Sequence, residues 1–215
     1  MKVTNRLRYF ADQSHLISTI ILIHKMCTTN SCYGLSLKAQ IMFLISYFCR
    51  LSVFTTSDPT LYDNFSKFFY FLMTLIIVYL IGVKYSSSYQ KKYDTFNVFI
   101  ILLICFPLSY ISTPNHTASM LLYYFSLWLE SFAILPQIIL ISRVRRIEVL
   151  ANEYIFFMGL YRVLYLINWI NQSLRSQGVS WIIWTNSFIQ AVLHIDFIYY
   201  FIKSVCEGRE FALPL

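Results

Sequence analysis

The sequence predicts an all-α membrane protein with seven transmembrane helices, and three observations predict this fold class. Of the 215 residues, 58% are hydrophobic and 13% are charged, whereas a soluble domain averages about 25% charged residues. Apolar stretches near the length that crosses a membrane core of about 30 Å recur along the chain, and turn-forming residues separate them. We therefore expect one membrane domain over residues 1–215, ending in a short cytosolic tail at 205–215.

The individual helices follow from the apolar stretches and from the turns that end them. Clear turn chemistry ends the second, fourth and sixth helices at TSDPT (56–60), STPNHT (112–117) and RSQGVS (175–180). The basic start of the chain has no uninterrupted apolar core, so the first helix is expected to stay and to act as the insertion signal. The predicted spans are 9–27, 38–56, 63–83, 95–114, 117–140, 148–171 and 180–204.

The positions of lysine and arginine predict the orientation, because the cytosolic loops of membrane proteins are enriched in both. With the N-terminus in the lumen, ten of these residues fall in cytosolic segments and five in lumenal ones. The ten are Lys25, Lys38, Lys84, Lys91, Lys92, Arg143, Arg145, Arg146, Lys203 and Arg209. We therefore expect a lumenal N-terminus and a cytosolic C-terminus.

A Pro136-Gln137 pair late in the fifth helix suggests two three-helix repeats joined by a central helix, an arrangement of the kind seen in transporters with internal repeats. The first repeat has no matching pair and carries GLSLKAQ (34–40) at the start of the second helix instead. Proline kinks are common in membrane helices, so the pair alone leaves the repeat open.

Charged residues inside the apolar segments mark an internal polar site. Arg50, Glu130, Arg162 and Asp196 are such residues, with His15 beside them. A charge within a membrane is costly unless it is paired or faces water. His15 and Arg50 lie about six residues, roughly 9 Å, from the predicted lumenal ends of their helices. We expect these groups to line a cavity that is open to the lumen.

The sixth helix is expected to present a polar and aromatic stripe to this cavity. The residues lie at i, i+4, i+7, i+8 and i+11, which is one helical face: Tyr161, Tyr165, Asn168, Trp169 and Gln172. An interfacial aromatic belt would account for Trp169 alone, but not for a stripe several turns long.

The arginines favour an anionic ligand, and His15 suggests control by pH. Arg50 can donate two parallel hydrogen bonds to a carboxylate; the alternative, a structural pair with Glu130, is less favoured because Glu130 lies deeper. Arg8 either extends positive potential at the lumenal mouth or anchors the helix end. Histidine in water has a pKa of about 6.5, so His15 with Glu130 and Tyr161 suggests a pH switch; a satisfied core histidine is the alternative.

Several other classes of function are disfavoured. The basic residues follow the loops rather than one face, unlike those of a nucleic-acid-binding protein. The cysteines lack metal-binding spacing and the chain has no HExxH motif, so we expect no metal, no cofactor and no enzymatic activity. A transporter of a small solute is the alternative function, although among the charged groups only Asp196 lies near the cytosolic side.

Six segments of the chain resemble the ER lumen protein-retaining receptors, also called KDEL receptors. The similarity runs nearly end to end at matching spacing. The segments are LWLESFAILPQ (127–137), GLYRVLYLINWI (159–170), ADQSHL (11–16), SCYGLSLKAQ (31–40), YDTFNV (93–98) and FALPL (211–215).

The resemblance implies a seven-helix fold similar to SWEET and PQ-loop transporters, in the ER and Golgi membranes. It implies a receptor that binds the C-terminal tetrapeptides of escaped ER proteins in the acidic Golgi, returns them in coatomer vesicles and releases them near neutral pH. The resemblance implies that Arg50 binds the peptide's terminal carboxylate and that Arg8 binds an acidic side chain of the peptide. It implies a pH lock formed by His15, Glu130 and Tyr161, and a part in retrograde transport for Asp196. The residues implied to line the site are Tyr165, Asn168, Trp169 and Tyr123.

The chain departs from the family where the family receives the basic first residue of the signal. Leu51, Ser52 and Val53 stand where the family has Tyr-Leu-Asp, and Met120 stands where it has a glutamate. We therefore expect a signal whose first residue is uncharged or varied, such as xDEL.

Two further departures concern basic residues. Gln172 replaces an arginine of the family, and Arg175, one turn on, is a partial substitute. The family's lysine-rich tail is reduced to Lys203 and Arg209, which weakens the case for coatomer engagement through the tail. Arg162 receives no role from the resemblance; Asp196 is one candidate partner, at a depth about 10 Å away by helix arithmetic.

Overall fold

The computed structural model describes residues 2–51, 61–114, 116–144, 149–175, 178 and 180–207, with the backbone alone at several helix ends and at Asp196. The described chain is helical and contains no strand, so the all-α prediction is confirmed. The helices are α1 (Lys2–Thr29), α2 (Leu37–Leu51), α3 (Leu61–Tyr79), α4 (Val98–Ser112), α5 (Ala118–Phe132), α6 (Leu135–Arg143), α7 (Val149–Leu174) and α8 (Trp181–Glu207). A π-helical turn at Leu80–Lys84 and a 3-10 turn at Ser86–Ser88 follow α3.

Two helix boundaries differ from the prediction. Helix α1 begins at Lys2 rather than at 9, because the helix continues through a polar segment that the apolar pattern does not register. The predicted fifth helix is divided into α5 and α6 by a turn at Ala133 and Ile134. The predicted end of the second helix at 56 and the tail beyond Glu207 lie outside the described residues.

The turn between α5 and α6 is explained by Pro136. A proline ring has no N–H to donate and collides with the carbonyl four residues earlier, here that of Phe132, the last residue of α5. The helix starts again when the backbone N–H of Ile138 donates to the Ile134 carbonyl at 3.0 Å.

Two described helical stretches are long and apolar enough to cross a membrane by length and composition: Asn64–Lys84 and Ala118–Arg143. Helix α4 is a shorter apolar helix. Large apolar side chains are exposed on α3 and α4, among them Phe65, Phe68, Leu103 and Phe106. Seven membrane spans stay a prediction.

The chain divides into two compact units, a terminal unit (Met1–Gly34 with Ile141–Leu215) and a central unit (Leu35–Leu140). In the terminal unit, α7 packs against both α1 and α8. In the central unit, α2 packs against α3 and α5, and α4 packs against α5. The single domain over 1–215 stays a prediction.

Two hydroxyl side chains buried in α1 are satisfied within the helix itself. The Ser18 hydroxyl donates to the His15 carbonyl at 2.6 Å, and the Thr19 hydroxyl donates to the Leu16 carbonyl at 2.9 Å. Such local bonds let serine and threonine occupy a buried helix position without an orphaned hydroxyl.

Asp94 organises the start of α2 in the central unit. Its carboxylate, 3% exposed, accepts hydrogen bonds from the Ser36 hydroxyl at 2.9 Å, the Lys38 backbone N–H at 3.3 Å and the Tyr89 hydroxyl at 2.6 Å. Ser36 caps the helix, because its Oγ accepts the Ala39 N–H at 3.1 Å. The Lys38 N–H of α2 thus finds its acceptor in a loop that is distant in sequence, and the Ala39 N–H finds its acceptor in the adjacent cap.

Gln137 also contacts the start of α2. Its side-chain carbonyl accepts the backbone N–H of Ser36 at 2.8 Å, and it is fully buried. The GLSLKAQ segment and the Pro-Gln pair, which the sequence suggests as counterparts, are therefore in direct contact.

We expect Asp94→Asn to lower the free energy of unfolding by about 1–3 kcal/mol, because three donors lose a charged acceptor. Thermal unfolding of the purified protein in detergent measures this. Lys92→Gln, an exposed change in the same loop, is the matched control. Equal unfolding midpoints for the two variants would contradict the role given to Asp94.

Candidate functional site

Four ring side chains form a ladder in the terminal unit. His15 from α1 stacks on Tyr161 from α7, with ring centroids 4.4 Å apart and planes inclined by 18°. Tyr161 meets Tyr165 edge-on at 6.1 Å, and Tyr165 stacks on Trp169 at 6.2 Å. The contacts follow the predicted stripe along α7 and connect it to the histidine on α1.

Asp12 and Arg8 extend this ladder at Tyr165. The Tyr165 hydroxyl donates to Oδ1 of Asp12 at 2.5 Å, and Arg8 also interacts with that hydroxyl. Asp12 is buried and Arg8 is exposed. Sequence reasoning missed Asp12, although it lies on the face of α1 shared by i−4 and i+3 neighbours, Arg8 and His15. The Tyr165 hydroxyl therefore contacts both an acidic side chain, Asp12, and a basic side chain, Arg8.

Asn168 is a fully buried amide on α7. Neither its side-chain oxygen nor its nitrogen has a hydrogen-bond partner among the described residues. A buried amide without partners is unfavourable, so this position suits a polar ligand or a bound water.

Arg162 lies in a different setting from the one considered for it. The side chain is 6% exposed, and its Nη1 donates to Oε1 of Gln190 on α8 at 2.7 Å. Its guanidinium lies 4.3 Å from the centroid of the Tyr161 ring, a cation–π distance. The Asp196 side chain lies outside the described residues, so that pairing stays untested. Sequence reasoning missed Gln190.

Arg50 and Glu130 form an ion pair in the central unit. The Arg50 side chain is 22% exposed and that of Glu130 is 4% exposed. Sequence reasoning disfavoured this pair on grounds of depth. That argument failed because an arginine side chain is long enough to reach across a helical turn of about 5.4 Å.

Ser126, also missed, connects this ion pair to the helices that carry it. Arg50 Nε donates to the Ser126 hydroxyl at 3.3 Å, and the Ser46 hydroxyl donates to the Ser126 carbonyl at 2.8 Å. The Ser126 hydroxyl in turn donates to the Tyr123 carbonyl at 2.6 Å. Ser126 lies one turn before Glu130, so the spacing on α5 could have identified it.

The remaining predicted site residues fall as follows. The Tyr123 ring packs edge-on against Tyr124 at 5.5 Å. The pH lock takes His15 and Tyr161 from the terminal unit and Glu130 from the central unit, and it stays a prediction. The described residues contain no group of three His, Cys, Asp or Glu side chains that could hold a metal.

Arg50→Met is expected to lower the free energy of unfolding by about 3 kcal/mol, because it leaves a buried carboxylate without a cation. The double variant Arg50→Met with Glu130→Leu should recover most of this loss, because the desolvation penalty disappears with both charges. Denaturant unfolding of the two single variants and the double variant forms the cycle. Strictly additive losses would show that the pair contributes no coupling.

Comparison with known proteins identifies the family of this chain. A family model described as ER lumen protein retaining receptor matches residues 31–172. The ER lumen protein-retaining receptor of Entamoeba histolytica is 37% identical over 213 residues, covering 99% of this chain and 100% of the relative.

Animal relatives match to a similar extent. The ER lumen protein-retaining receptor of Drosophila melanogaster is 36% identical over 210 residues, covering 98% of this chain and 99% of the relative. ER lumen protein-retaining receptor 2 of Homo sapiens is 35% identical over 210 residues, with the same coverage. The chain belongs to the ER lumen protein-retaining receptor family, whose members are retention receptors rather than enzymes.

Proposed function

We propose that this chain is a membrane-embedded receptor that binds the C-terminal tetrapeptides of ER lumenal proteins in the acidic Golgi and returns them to the ER. Family membership supports the class of ligand. The observation that carries the proposal is Arg50, a partly exposed guanidinium held in place by Ser126 and Glu130. The proposed setting is the ER and Golgi membranes, with a lumenal N-terminus and a cytosolic C-terminus.

Arg50 is the proposed anchor for the peptide's terminal carboxylate. Its ion pair with Glu130 neutralises the guanidinium when no peptide is bound. A C-terminal carboxylate offers the same charge and two oxygens for parallel hydrogen bonds. It therefore competes with Glu130 for Arg50, and binding strength depends on how firmly Glu130 is held.

The proposed pH step acts on this competition. Histidine gains its charge as the pH falls below about 6.5. A charged His15 strengthens its stacking on Tyr161 through a cation–π interaction and attracts the Glu130 carboxylate away from Arg50. The step joins residues of both units and comes from the sequence pattern and the family. The expected direction of the pH dependence is that the peptide binds at a pH below the histidine pKa and dissociates at a pH above it.

Residues of the terminal unit are also proposed to bind the peptide. Arg8 interacts with the Tyr165 hydroxyl, and that hydroxyl donates a hydrogen bond to the buried Asp12. The proposed partner of Arg8 is an acidic side chain of the signal. The buried amide of Asn168 has free donors and acceptors for the peptide backbone.

Seven spans in two three-helix repeats, similar to SWEET and PQ-loop proteins, are the proposed architecture. The contact between Gln137 and Ser36 supports it, since it joins the segments suggested as repeat counterparts. Asp196 is proposed to act in retrograde transport through coatomer, with Lys203 and Arg209 as the remaining basic residues of the tail.

Binding of a peptide ending in Asp-Glu-Leu should be stronger at pH about 5.5 than at about 7.2, values that bracket the histidine pKa. Arg50→Lys should weaken binding at the lower pH at least about tenfold, because a lysine cannot make the bidentate contact. His15→Gln should remove the pH dependence. Titration calorimetry of the purified protein measures all three.

Two controls make this experiment specific. A peptide with an amidated C-terminus should bind the wild type more weakly than the free peptide does, and amidation should cost less affinity in Arg50→Lys, where the bidentate contact is already lost. Arg143→Gln, an exposed change at the end of α6, should leave binding unaltered. Retained affinity for the amidated peptide would overturn the carboxylate anchor.

The first residue of the signal should be only weakly selected. A library of peptides xDEL, titrated at the lower pH, should show no strong preference for Lys or His, because Met120 offers no charge and is 40% exposed. Met120→Glu should raise the preference for Lys by up to about fivefold, since an exposed ion pair contributes about 0.2–1 kcal/mol. Met120→Gln is the uncharged control. A strong lysine preference in the wild type would sink the idea.

A further inference from the structure

The connection between α3 and α4 is strongly basic. Its segment 84–93, here called the basic loop, contains three lysines and no acidic residue. Lys84, Lys91 and Lys92 are all exposed. The neighbouring Asp94 is buried and occupied by three donors, so its charge does not offset theirs at the surface.

The backbone of the basic loop is ordered by its own hydrogen bonds. It begins where the Tyr85 N–H closes the π-helical turn on the Leu80 carbonyl at 2.8 Å. It ends where the N–H groups of Tyr93 and Asp94 donate to the Gln90 carbonyl at 3.0 and 3.2 Å. The bond between Tyr89 and Asp94 ties it to the start of α2. The lysines are therefore presented by a preformed turn, which reduces the entropy lost on binding.

Exposed apolar and aromatic side chains flank the basic loop on both sides. Tyr79 and Val83 precede it with 56% and 63% exposure, and Phe99 and Ile100 follow it with 63% and 50%. Tyr93, within the loop, is 39% exposed. Lysines between aromatic and apolar flanks are typical of a membrane–water interface. The flanks favour a lipid surface over a soluble acidic protein, because they would be buried against acyl chains while the lysines stay at headgroup level.

We propose that the basic loop binds the headgroups of anionic phospholipids in the leaflet next to it. The proposal rests on the membrane setting and orientation of the proposed function, in which this loop is cytosolic. Lysines near a membrane surface attract anionic lipids. Lys38 takes no part, because its Nζ is turned inward to the Phe96 carbonyl at 2.7 Å.

The test measures binding of a short-chain phosphatidylserine and of the matching phosphatidylcholine to the purified protein in neutral detergent. The wild type should prefer phosphatidylserine. Lys91→Gln with Lys92→Gln should weaken phosphatidylserine binding by up to about thirtyfold and leave phosphatidylcholine binding unaltered. Ser87→Glu should weaken it in the same direction, because Ser87 is exposed in the middle of the loop and the variant adds a negative charge there.

Matched controls separate the basic loop from net charge. Arg6→Gln with Arg175→Gln removes two exposed charges elsewhere, and it should change phosphatidylserine binding less than about twofold. Equal losses in the two double variants would overturn the proposal. Soluble polyglutamate that binds the basic loop as tightly as phosphatidylserine would also overturn it, in favour of an acidic protein partner.

A parallel titration keeps this proposal distinct from the proposed function. The Lys91 and Lys92 double variant should bind the Asp-Glu-Leu peptide at acidic pH as the wild type does. A wild type that binds no peptide but selects phosphatidylserine through the basic loop contradicts the receptor function and upholds the lipid site. A wild type that binds peptide without selecting phosphatidylserine does the opposite.

Discussion

A guanidinium placed among apolar helices needs an anionic partner close by, and the pair of Arg50 with Glu130 meets this need in the central unit. Removing one charge from such a pair leaves the other desolvated and uncompensated, which is strongly destabilising. α2 and α5 must therefore keep the register that holds the two side chains together. The hydrogen bond from the Ser46 hydroxyl to the Ser126 backbone carbonyl stabilises that register. A receptor for terminal carboxylates gains a useful property from this constraint, because the same cation can exchange one carboxylate for another.

In the terminal unit, Arg162 makes contacts of another kind. Arg162 has the amide of Gln190 and the face of Tyr161 around it. Dipoles and ring faces stabilise a cation less than a carboxylate does, but they leave no second charge to be desolvated. Arg50 is paired with an internal carboxylate, which suits it to a reversible, ligand-dependent role.

The sequence predicts the helices of this protein better than the contacts between them. The predicted spans 148–171 and 180–204 agree to within three residues at each end with α7, Val149–Leu174, and α8, Trp181–Glu207, because apolar length and turn residues are local signals. Pro136 was visible in the sequence, yet the turn before it was not predicted, since many membrane helices absorb a proline with a bend. The face that Asp12 shares with Arg8 and His15 is a local signal, but the contact of Asp12 with Tyr165 is not, because the two residues lie 153 positions apart. The Arg50–Glu130 pair was disfavoured because depth counted along helix axes ignores the reach of side chains.

The ion pair also explains how a small proton-linked change could control a large difference in peptide affinity. A peptide that must displace Glu130 from Arg50 binds with its own contact energy reduced by that of the internal pair. When Glu130 is drawn elsewhere, that reduction vanishes. Each 1.4 kcal/mol of that internal contact corresponds to about a tenfold change in peptide affinity. In this cycle the peptide contacts need not change with pH. In the proposed cycle, control lies in whether Glu130 or the peptide carboxylate is paired with Arg50.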